Sequence, residues 1–240
     1  MRFAIISDLH ANLEATQTVI ADAHAKDCTH FVCLGDLVGY NANPHECIEI
    51  VRGLGCPIVK GNHDEQASLS ESSRDFNELA EHAISWTRAQ LTADDKQLLA
   101  ALPMTREVHD FTIVHATLDT PAEWGYVFNN LDALASFTYQ HTPICFFGHT
   151  HVAGAFACDG NVKRVKTEQL VIETGKKYFI NTGSVGQPRD GDPRAAYCIY
   201  DTDNNVVEQR RLKYDLPAAQ RKIIQAGLPR LLAERLELGR

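Results

Sequence analysis

Five short apolar segments of this chain each end in a polar stretch of Asp, Asn and His residues. The five stretches read Asp8-x-His10, Gly35-Asp36, Gly61-Asn62-His63-Asp64, His115 and Gly148-His149-x-His151. In α/β proteins, side chains that follow strands in this way meet at the carboxyl edge of a sheet. The succession therefore predicts an α/β fold that brings the five stretches together in one site.

The order of elements in the first sixty residues predicts a largely parallel sheet. Residues 2–7, 31–34 and 57–60 are apolar runs typical of buried strands. Asn12 and the pair Asn43-Pro44 mark the starts of the two helices between them, because Asn caps helices and Pro is favoured at the first helical position. Alternating strands and helices imply right-handed crossovers between parallel strands.

The second half of the chain predicts hairpins, because short strand-like segments follow each other with only turns between them. After two strands at 111–114 and 144–147, these segments are 153–157, 162–166, 170–173, 177–181, 195–200 and 206–212. A polar segment with helical periodicity, 75–101, precedes them, and a helical tail runs from about 216 to 240. Since no linker or repeat interrupts the chain, we expect residues 1–240 to form one domain with two packed sheets.

Composition and charge limit the class of partner. The formal net charge is −8, so no stable nucleic-acid partner is expected, because nucleic acids bind cationic surfaces. The chain has no signal-like start and no apolar run of about 18 residues, which predicts no membrane span. Its seven cysteines include no Cys-x-x-Cys pair, and Cys33 and Cys145 lie in apolar runs. This usage is typical of a reduced, cytoplasmic protein; assembly into a homo-oligomer remains open.

The polar stretches carry the ligand types of divalent transition metals. With His63 set aside, they supply seven candidate ligands: Asp8, His10, Asp36, Asn62, His115, His149 and His151. Imidazole, carboxylate and amide oxygen together suit Mn, Fe, Zn, Ni or Co and do not suit calcium. Seven ligands are too many for one tetrahedral ion and suit two ions that share a carboxylate. Two such ions exceed the charge of the two carboxylates by about +2, which favours an anion such as phosphate.

Each stretch taken singly has a more ordinary interpretation. An isolated Asp-x-His is more often a hydrogen-bonded loop, Gly-Asp is a common turn, and one histidine is more often structural than ligating. Their joint occurrence in order, each after an apolar strand, favours the metal interpretation. The remaining histidines, at positions 24, 30, 45, 82, 109 and 141, fall in predicted helices or turns and are expected to be structural.

The series of stretches resembles the five-motif signature of calcineurin-like metallophosphoesterases, and its spacing resembles that of the small single-domain microbial members. The resemblance covers residues 8–151. The amino-acid sequences of segments 7–12, 35–40 and 181–189 are similar to those of one branch of this family, which is related to diadenosine-tetraphosphatases and small phosphodiesterases. Related chains often place Gly or Ser and Pro after the histidine of the fourth motif, whereas this chain has Ala116-Thr117-Leu118-Asp119. This departure weakens any transfer of substrate identity.

The resemblance implies a four-layer α-β-β-α sandwich of two mixed sheets with the site along one edge. It also implies a division of the ligands between two ions, with His63 left off the metals. Asp8, His10, Asp36 and His151 would hold one ion, and Asp36, Asn62, His115 and His149 the other.

A mechanism follows as a hypothesis from these assignments. A hydroxide that bridges the two ions would attack phosphorus, and His63 would act as general acid on the leaving oxygen. Asp64 or a main-chain carbonyl would fix the tautomer of His63.

Three further residues are candidates for substrate binding. Asn12 could bind phosphate or simply cap a helix. Arg189 and Arg194 could hold a second phosphate, or form local salt bridges with the aspartates around them. Tyr40, Trp124 and Tyr126 could stack on a base, but core packing is the more common role of any one of them.

The expected function is therefore hydrolysis of a phosphomonoester or phosphodiester of a small, nucleotide-like substrate. The alternatives are a non-catalytic metal-binding scaffold of the same fold and a serine/threonine protein phosphatase. A metal-dependent amidohydrolase is a poor match, because its His-x-His follows the first strand and here it follows the fifth. The sequence identifies neither the physiological substrate, nor the native metals, nor the oligomeric state.

Overall fold

A computed structural model describes residues 1–71 and 77–240 of the chain. Within these residues, eleven strands form two mixed sheets. The strands are β1 (Arg2–Ile6), β2 (His30–Cys33), β3 (Thr105–Val108), β4 (Phe111–Val114), β5 (Ile144–Phe147), β6 (Gly154–Cys158), β7 (Val162–Val165), β8 (Leu170–Val171), β9 (Lys177–Asn181), β10 (Ala195–Asp201) and β11 (Val206–Leu212). One sheet has the order β2-β1-β10-β11-β8 and the other has the order β3-β4-β5-β9-β6-β7.

Helices cover the outer faces of the sheets. They are α1 (Leu13–Ala25), α2 (Pro44–Leu54), α3 (Asn62–Ser68), α4 (Glu78–Gln90), α5 (Ala93–Ala101), α6 (Asn130–Tyr139), α7 (Leu216–Gln225) and α8 (Arg230–Leu238). Among the described residues, none of the helices has both the length and the apolar character needed to cross a bilayer.

The two sheets pack face to face, because alternate residues of each strand point to opposite sides. From β1, Phe3 and Ile5 enter the core between the sheets, where they join Phe111 and Phe146 of the second sheet. Ala4 and Ile6 of the same strand face the other way, into the core beneath α1 and α2. A comparable core lies between the second sheet and α6. This arrangement confirms the predicted four-layer α-β-β-α sandwich.

Parallel pairing brings the carboxyl ends of the ligand-bearing strands to one edge. β1 pairs in parallel with β2, and β4 pairs in parallel with β5. Main-chain hydrogen bonds continue this alignment past the strand ends: Asp8 N–H donates to the Gly35 carbonyl at 3.0 Å, and Gly148 N–H donates to the His115 carbonyl at 2.8 Å. The loops that follow these strands therefore face one another.

Two predicted segments differ from the structure, and one strand was not predicted. Residues 57–60 form a single bridge at Ile58 with Cys33 instead of a strand, since Pro57 has no N–H to extend a ladder. The predicted helical segment 75–101 is divided into α4 and α5, because Thr92 starts a new helix with a side-chain cap; positions 75 and 76 lie outside the described residues. β3 was not predicted, because its pattern Thr-Arg-Glu-Val has little apolar character.

The packing between the sheets makes one stability prediction. Phe146 is fully buried, and its ring centroid lies 5.3 Å from that of Phe111 and 6.0 Å from that of Tyr200. Phe146→Ala should lower the free energy of unfolding by about 3–5 kcal/mol, because it leaves a cavity in a close-packed core. Leu131→Ala is the control, since Leu131 is 77% exposed and its loss should change stability by less than ~0.5 kcal/mol. Urea titration measures both; equal effects would contradict the assignment of this core.

Candidate metal centre

Six of the predicted ligands meet at the shared edge in two overlapping groups, all of them buried. One group contains Asp8, His10, Asp36 and His151, and the other contains Asp36, His115 and His149. Within each group the potential ligand atoms lie within 4.8 Å of one another. Asp36 belongs to both groups, which is the position expected of a shared carboxylate.

Main-chain carbonyls fix the orientation of three of the histidines. In each of them Nδ1 donates a hydrogen bond to a carbonyl oxygen, so Nε2 points into the cluster and is the nitrogen available to an ion. The bonds join His10 to Val38 at 3.0 Å, His115 to Leu34 at 2.7 Å and His151 to Gln187 at 2.6 Å. The rings are therefore held in the tautomer that a metal requires.

The distances between these nitrogens fit a cation at the centre. Nε2 of His10 lies 2.9 Å from Nε2 of His151, and the latter lies 3.2 Å from Asp8 Oδ1. Nε2 of His115 lies 3.3 Å from Asp36 Oδ2. Because lone pairs that face each other repel, a cation among these atoms would stabilise the arrangement. The donor set therefore fits a bound divalent ion.

Asn62 and His149 complete the second group. The side-chain oxygen of Asn62 is buried and has no hydrogen-bond partner among the described residues, although a buried amide oxygen is normally paired. Nε2 of His149 donates to the carbonyl of Trp124 at 2.9 Å, which leaves Nδ1 as the nitrogen available to an ion. An unpaired amide oxygen and a free ring nitrogen next to Asp36 both fit metal binding.

The ligand loops adopt a backbone conformation that is uncommon for residues with side chains. Asp8, His10, Asp36, His149 and His151 have positive φ values between 46° and 65°. Such residues lie in the left-handed region, which costs about 1–2 kcal/mol for each L-residue. Clusters of this strain are typical of functional sites.

Charge within the cluster shifts the pKa values of its members. Burial would raise the pKa of Asp8, but the neighbouring His151 and His115 lower it below its usual range. Burial would lower the pKa of His115, but Asp36 and Asp8 raise it to about 9. Burial lowers the pKa of His149 to about 3. The cluster is thus an interdependent set of charges, which is the environment in which ligands exchange protons for metal.

His63 lies beside the cluster and outside both groups. Its ring centroid is 4.8 Å from that of His10 and 4.5 Å from that of Tyr40. The main-chain N–H of His63 donates to Asp36 Oδ1 at 2.8 Å. Burial lowers the pKa of His63 to about 4; Asp36 opposes this shift and the positive charge of Arg189 adds to it. The ring lines the cavity above the cluster.

Asp64 does not have the position expected of a residue that orients His63. Its carboxylate accepts three main-chain N–H bonds, from Asp36 and Leu37 at 2.8 Å and from Gly61 at 3.1 Å. Burial, and then the charge of Asp36, raise the pKa of Asp64 to about 7. We therefore correct its predicted role, because both oxygens tie the Asp36 loop to the start of α3.

Two of the three substrate-binding candidates lie away from the cavity. Asn12 is buried and donates to the Gly186 carbonyl at 2.9 Å, while its oxygen caps α1 through Ala15 N–H at 3.1 Å. Arg194 forms an ion pair with Asp192 at 2.6 Å and is 47% exposed. Neither side chain is among those that line the cavity, and each has partners within the fold, so substrate contact by either residue stays a prediction. Arg189 does line the cavity.

The cavity above the cluster has a volume of about 610 Å³. One wall contains Tyr40, His63 and Arg189, and another contains Trp124 and Tyr126. The ring of Tyr126 stacks on His149 at 4.3 Å and is 55% exposed. The sequence did not indicate the support that Trp124 gives to His149, because a main-chain carbonyl carries no residue-specific signal.

Comparisons with known proteins agree with this geometry. A family model described as the calcineurin-like phosphoesterase superfamily domain matches residues 1–205. An uncharacterized protein of Methanocaldococcus jannaschii is 38% identical over 241 residues, which cover 99% of this chain and 98% of that protein.

Two crystal structures match over the full chain. A metallophosphoesterase from Sphaerobacter thermophilus is 40% identical, with a TM-score of 0.89 and coverage of 100% of this chain and 99% of that one. A hypothetical protein from Pyrococcus horikoshii OT3 has a TM-score of 0.83 at 14% identity, with coverage of 100% and 98%. The second likeness supports the fold alone.

Proposed function

Because this chain belongs to the calcineurin-like phosphoesterase superfamily, we propose that it hydrolyses a phosphomonoester or phosphodiester of a small, nucleotide-like molecule. One observation carries the proposal: three buried histidines are fixed with Nε2 pointing at two carboxylates, beside an amide oxygen without a partner. This donor set fits divalent metals and lies at the base of an open cavity.

Two ions would be held by residues of this chain. Asp8, His10, Asp36 and His151 would hold the first, and Asp36, Asn62, His115 and His149 would hold the second. When bound, such ions supply Lewis acidity and lower the pKa of a bound water molecule to about neutral. Mn, Fe, Zn, Ni and Co all suit the ligand types.

His63 is the residue proposed to donate a proton to the leaving oxygen. Its ring lines the cavity but belongs to neither ligand group, so it is accessible to a substrate bound at the cluster. Packing against Tyr40 and His10 restricts the ring, and the main-chain N–H of His63 donates to Asp36. A phosphate bound nearby would stabilise the protonated ring, because negative charge favours imidazolium.

The test of the function combines metal analysis with turnover. Protein stripped of metal and reloaded with Mn, Fe, Zn, Ni or Co should bind two ions per chain and hydrolyse bis-p-nitrophenyl phosphate. A wider screen of phosphomonoesters, phosphodiesters and a phosphoserine peptide would locate the substrate class. Full metal loading without turnover of any ester would favour the scaffold alternative and contradict the proposal.

His63→Ala should separate binding from catalysis. We expect the variant to retain both ions and to lose about 10²–10⁴-fold in kcat on an alkyl phosphoester, the usual contribution of a general acid. The loss should be much smaller on a p-nitrophenyl ester, whose leaving group needs no proton. His82→Ala is the control, because His82 is exposed on α4. Equal losses on both esters would contradict the acid role.

A further inference from the structure

Two arginines near the cavity differ from their neighbours in lacking an acidic partner. Arg194 pairs with Asp192 at 2.6 Å, Arg210 pairs with Asp22 at 3.1 Å, and Arg211 pairs with Asp190. Among the described residues, no Asp or Glu carboxylate lies within 4.0 Å of the guanidinium nitrogens of Arg189 or Arg235. In a chain with a net charge of −8, acidic residues are abundant, so this lack of compensation is a local property of the site.

Oxygen atoms outside Asp and Glu side chains hold both guanidinium ions in place. Nε and Nη2 of Arg189 donate to Gln187 Oε1 at 3.2 and 2.7 Å, and Nε of Arg235 donates to the main-chain oxygen of Arg240 at 2.7 Å. Cζ of Arg189 lies 5.4 Å from the centroid of the Tyr40 ring, and Cζ of Arg235 lies 6.0 Å from it. These contacts orient the two cations over the Tyr40 ring.

Like charges that converge on one ring repel each other. Burial lowers the pKa of Arg235, and the positive charge of Arg189 lowers it further. The positive charge of Arg189 also contributes to the lowered pKa values of His63 and His151. An anion bound beside Arg189 would relieve this repulsion.

Arg189 is placed to reach a substrate bound at the metal centre. Its side chain lines the cavity together with His63 and Tyr40, and its N–H donates to the His151 carbonyl at 3.1 Å. This is the side on which His63 would meet the leaving group. A second anionic group there would therefore belong to the leaving-group part of the substrate.

Arg235 comes from α8, which lies beyond the residues 1–205 that the family model matches. Leu232 and Leu236 of α8 pack in one apolar cluster with Tyr40. Gly191 N–H donates to the Gly239 carbonyl at 3.0 Å, which fastens the end of α8 to the loop after Arg189. The C-terminal helix is thus connected to the cavity wall at two points.

We infer that Arg189, supported through Tyr40 by Arg235, forms a subsite for a second phosphate on the leaving-group part of the substrate. The inference rests on the proposed function and narrows it to esters that carry two phosphate groups. Arg189 would contact the phosphate, because guanidinium groups bind phosphate oxygens with paired hydrogen bonds. Arg235 is a positioning residue, which holds the Tyr40 ring and adds positive charge behind it.

Binding of phosphonates tests the subsite without turnover, because the P–C bond is not hydrolysed. Three phenylphosphonates differ only in the para group, which is a carboxamide, a carboxylate or a second phosphonate. Calorimetry on the metal-loaded protein should give a Kd for the bisphosphonate that is about 10- to 100-fold lower than for the carboxamide, the range for hydrogen bonds to charged groups. Equal Kd values for these two would overturn the subsite. Equal Kd values for carboxylate and second phosphonate would overturn the assignment to phosphate.

Variants show which residues produce the preference. Arg189→Gln should reduce the ratio of the two Kd values to about 3-fold or less, and Arg235→Gln should reduce it in part, with recovery in Arg235→Lys. Arg230→Gln is the matched control, since Arg230 lies on the same helix, is 83% exposed and pairs with Glu234. An unchanged ratio in Arg189→Gln, or equal ratios in Arg235→Gln and the wild type, would overturn the assignment.

Hydrolysis of the three corresponding phenyl phosphates distinguishes the proposed subsite from the proposed phosphoesterase activity. If the phosphonates show the preference but no ester is hydrolysed, the subsite stands and the proposed activity is wrong. If all three esters are hydrolysed and neither KM nor the phosphonate Kd depends on the para group, the activity stands and the subsite is wrong.

Discussion

Asp36→Asn is expected to remove metal binding and activity together. Asp36 is the one carboxylate shared by both ligand groups. Its Oδ2 lies 3.3 Å from His115 Nε2 and 3.5 Å from His10 Nε2, and its Oδ1 accepts His63 N–H at 2.8 Å. The amide retains the shape but loses the charge that would bridge two cations. Removing one member of a buried charge pair costs about 3–5 kcal/mol, which corresponds to roughly 10²–10⁴-fold in affinity.

The experiment measures ions per chain after equilibration with a metal buffer, and then turnover of bis-p-nitrophenyl phosphate. We expect fewer than two ions and a loss of at least about 10²-fold in kcat/KM. Asp203→Asn is the control, because it makes the same change in a side chain that is 82% exposed. An Asp36→Asn protein that binds two ions with wild-type affinity would show that the carboxylate is not shared.

Gly61→Ala is expected to disrupt the fold at the site. A Cβ at this position would lie 2.1 Å from Asp36 Oδ1 and 2.4 Å from Asp36 N. Neither atom can retreat easily, because Asp64 binds the Asp36 N–H at 2.8 Å and His63 N–H binds the carboxylate. The overlap should therefore lower the free energy of unfolding by at least about 3 kcal/mol.

Gly53→Ala provides the opposite result from the same chemical change. Gly53 lies in α2, and a Cβ there would have no atom within 4 Å. Alanine is the better helix former, so this variant should gain about 0.5–1 kcal/mol. Urea unfolding of both variants, with metal content of the folded protein, distinguishes the two sites. A Gly61→Ala protein with wild-type stability and two bound ions would contradict the close approach.

Local patterns in the sequence were sufficient to predict two packed sheets and the position of the ligands, whereas the four-layer α-β-β-α arrangement was implied by the family resemblance. Continuous apolar runs identified β1, β4 and β5, and each was followed by the Asp or His that now lies in the cluster. Asn12 was recognised as a helix cap for the same reason. The weak point was 57–60, where an apolar run beside Pro57 resembled a strand but supports only one bridge.

The contacts that orient the ligands could not be predicted in this way. The carbonyls of Val38, Leu34 and Gln187 belong to residues of no particular chemistry. Asp64 looked like a partner for His63 because the two are adjacent, but its carboxylate faces the backbone of a loop that is 28 residues away in sequence. Arg235 carried no signal at all, since its proximity to Arg189 depends on how α8 packs against Tyr40.

The left-handed backbone at Asp8, His10, Asp36, His149 and His151 has a consequence for engineering. Glycine would relieve the backbone strain at each of these positions, but glycine has no side chain with which to bind an ion. The five positions are therefore places where heat resistance and catalysis oppose each other. A more thermostable variant should be sought elsewhere, at exposed helical positions such as Gly53, where a substitution removes no metal ligand.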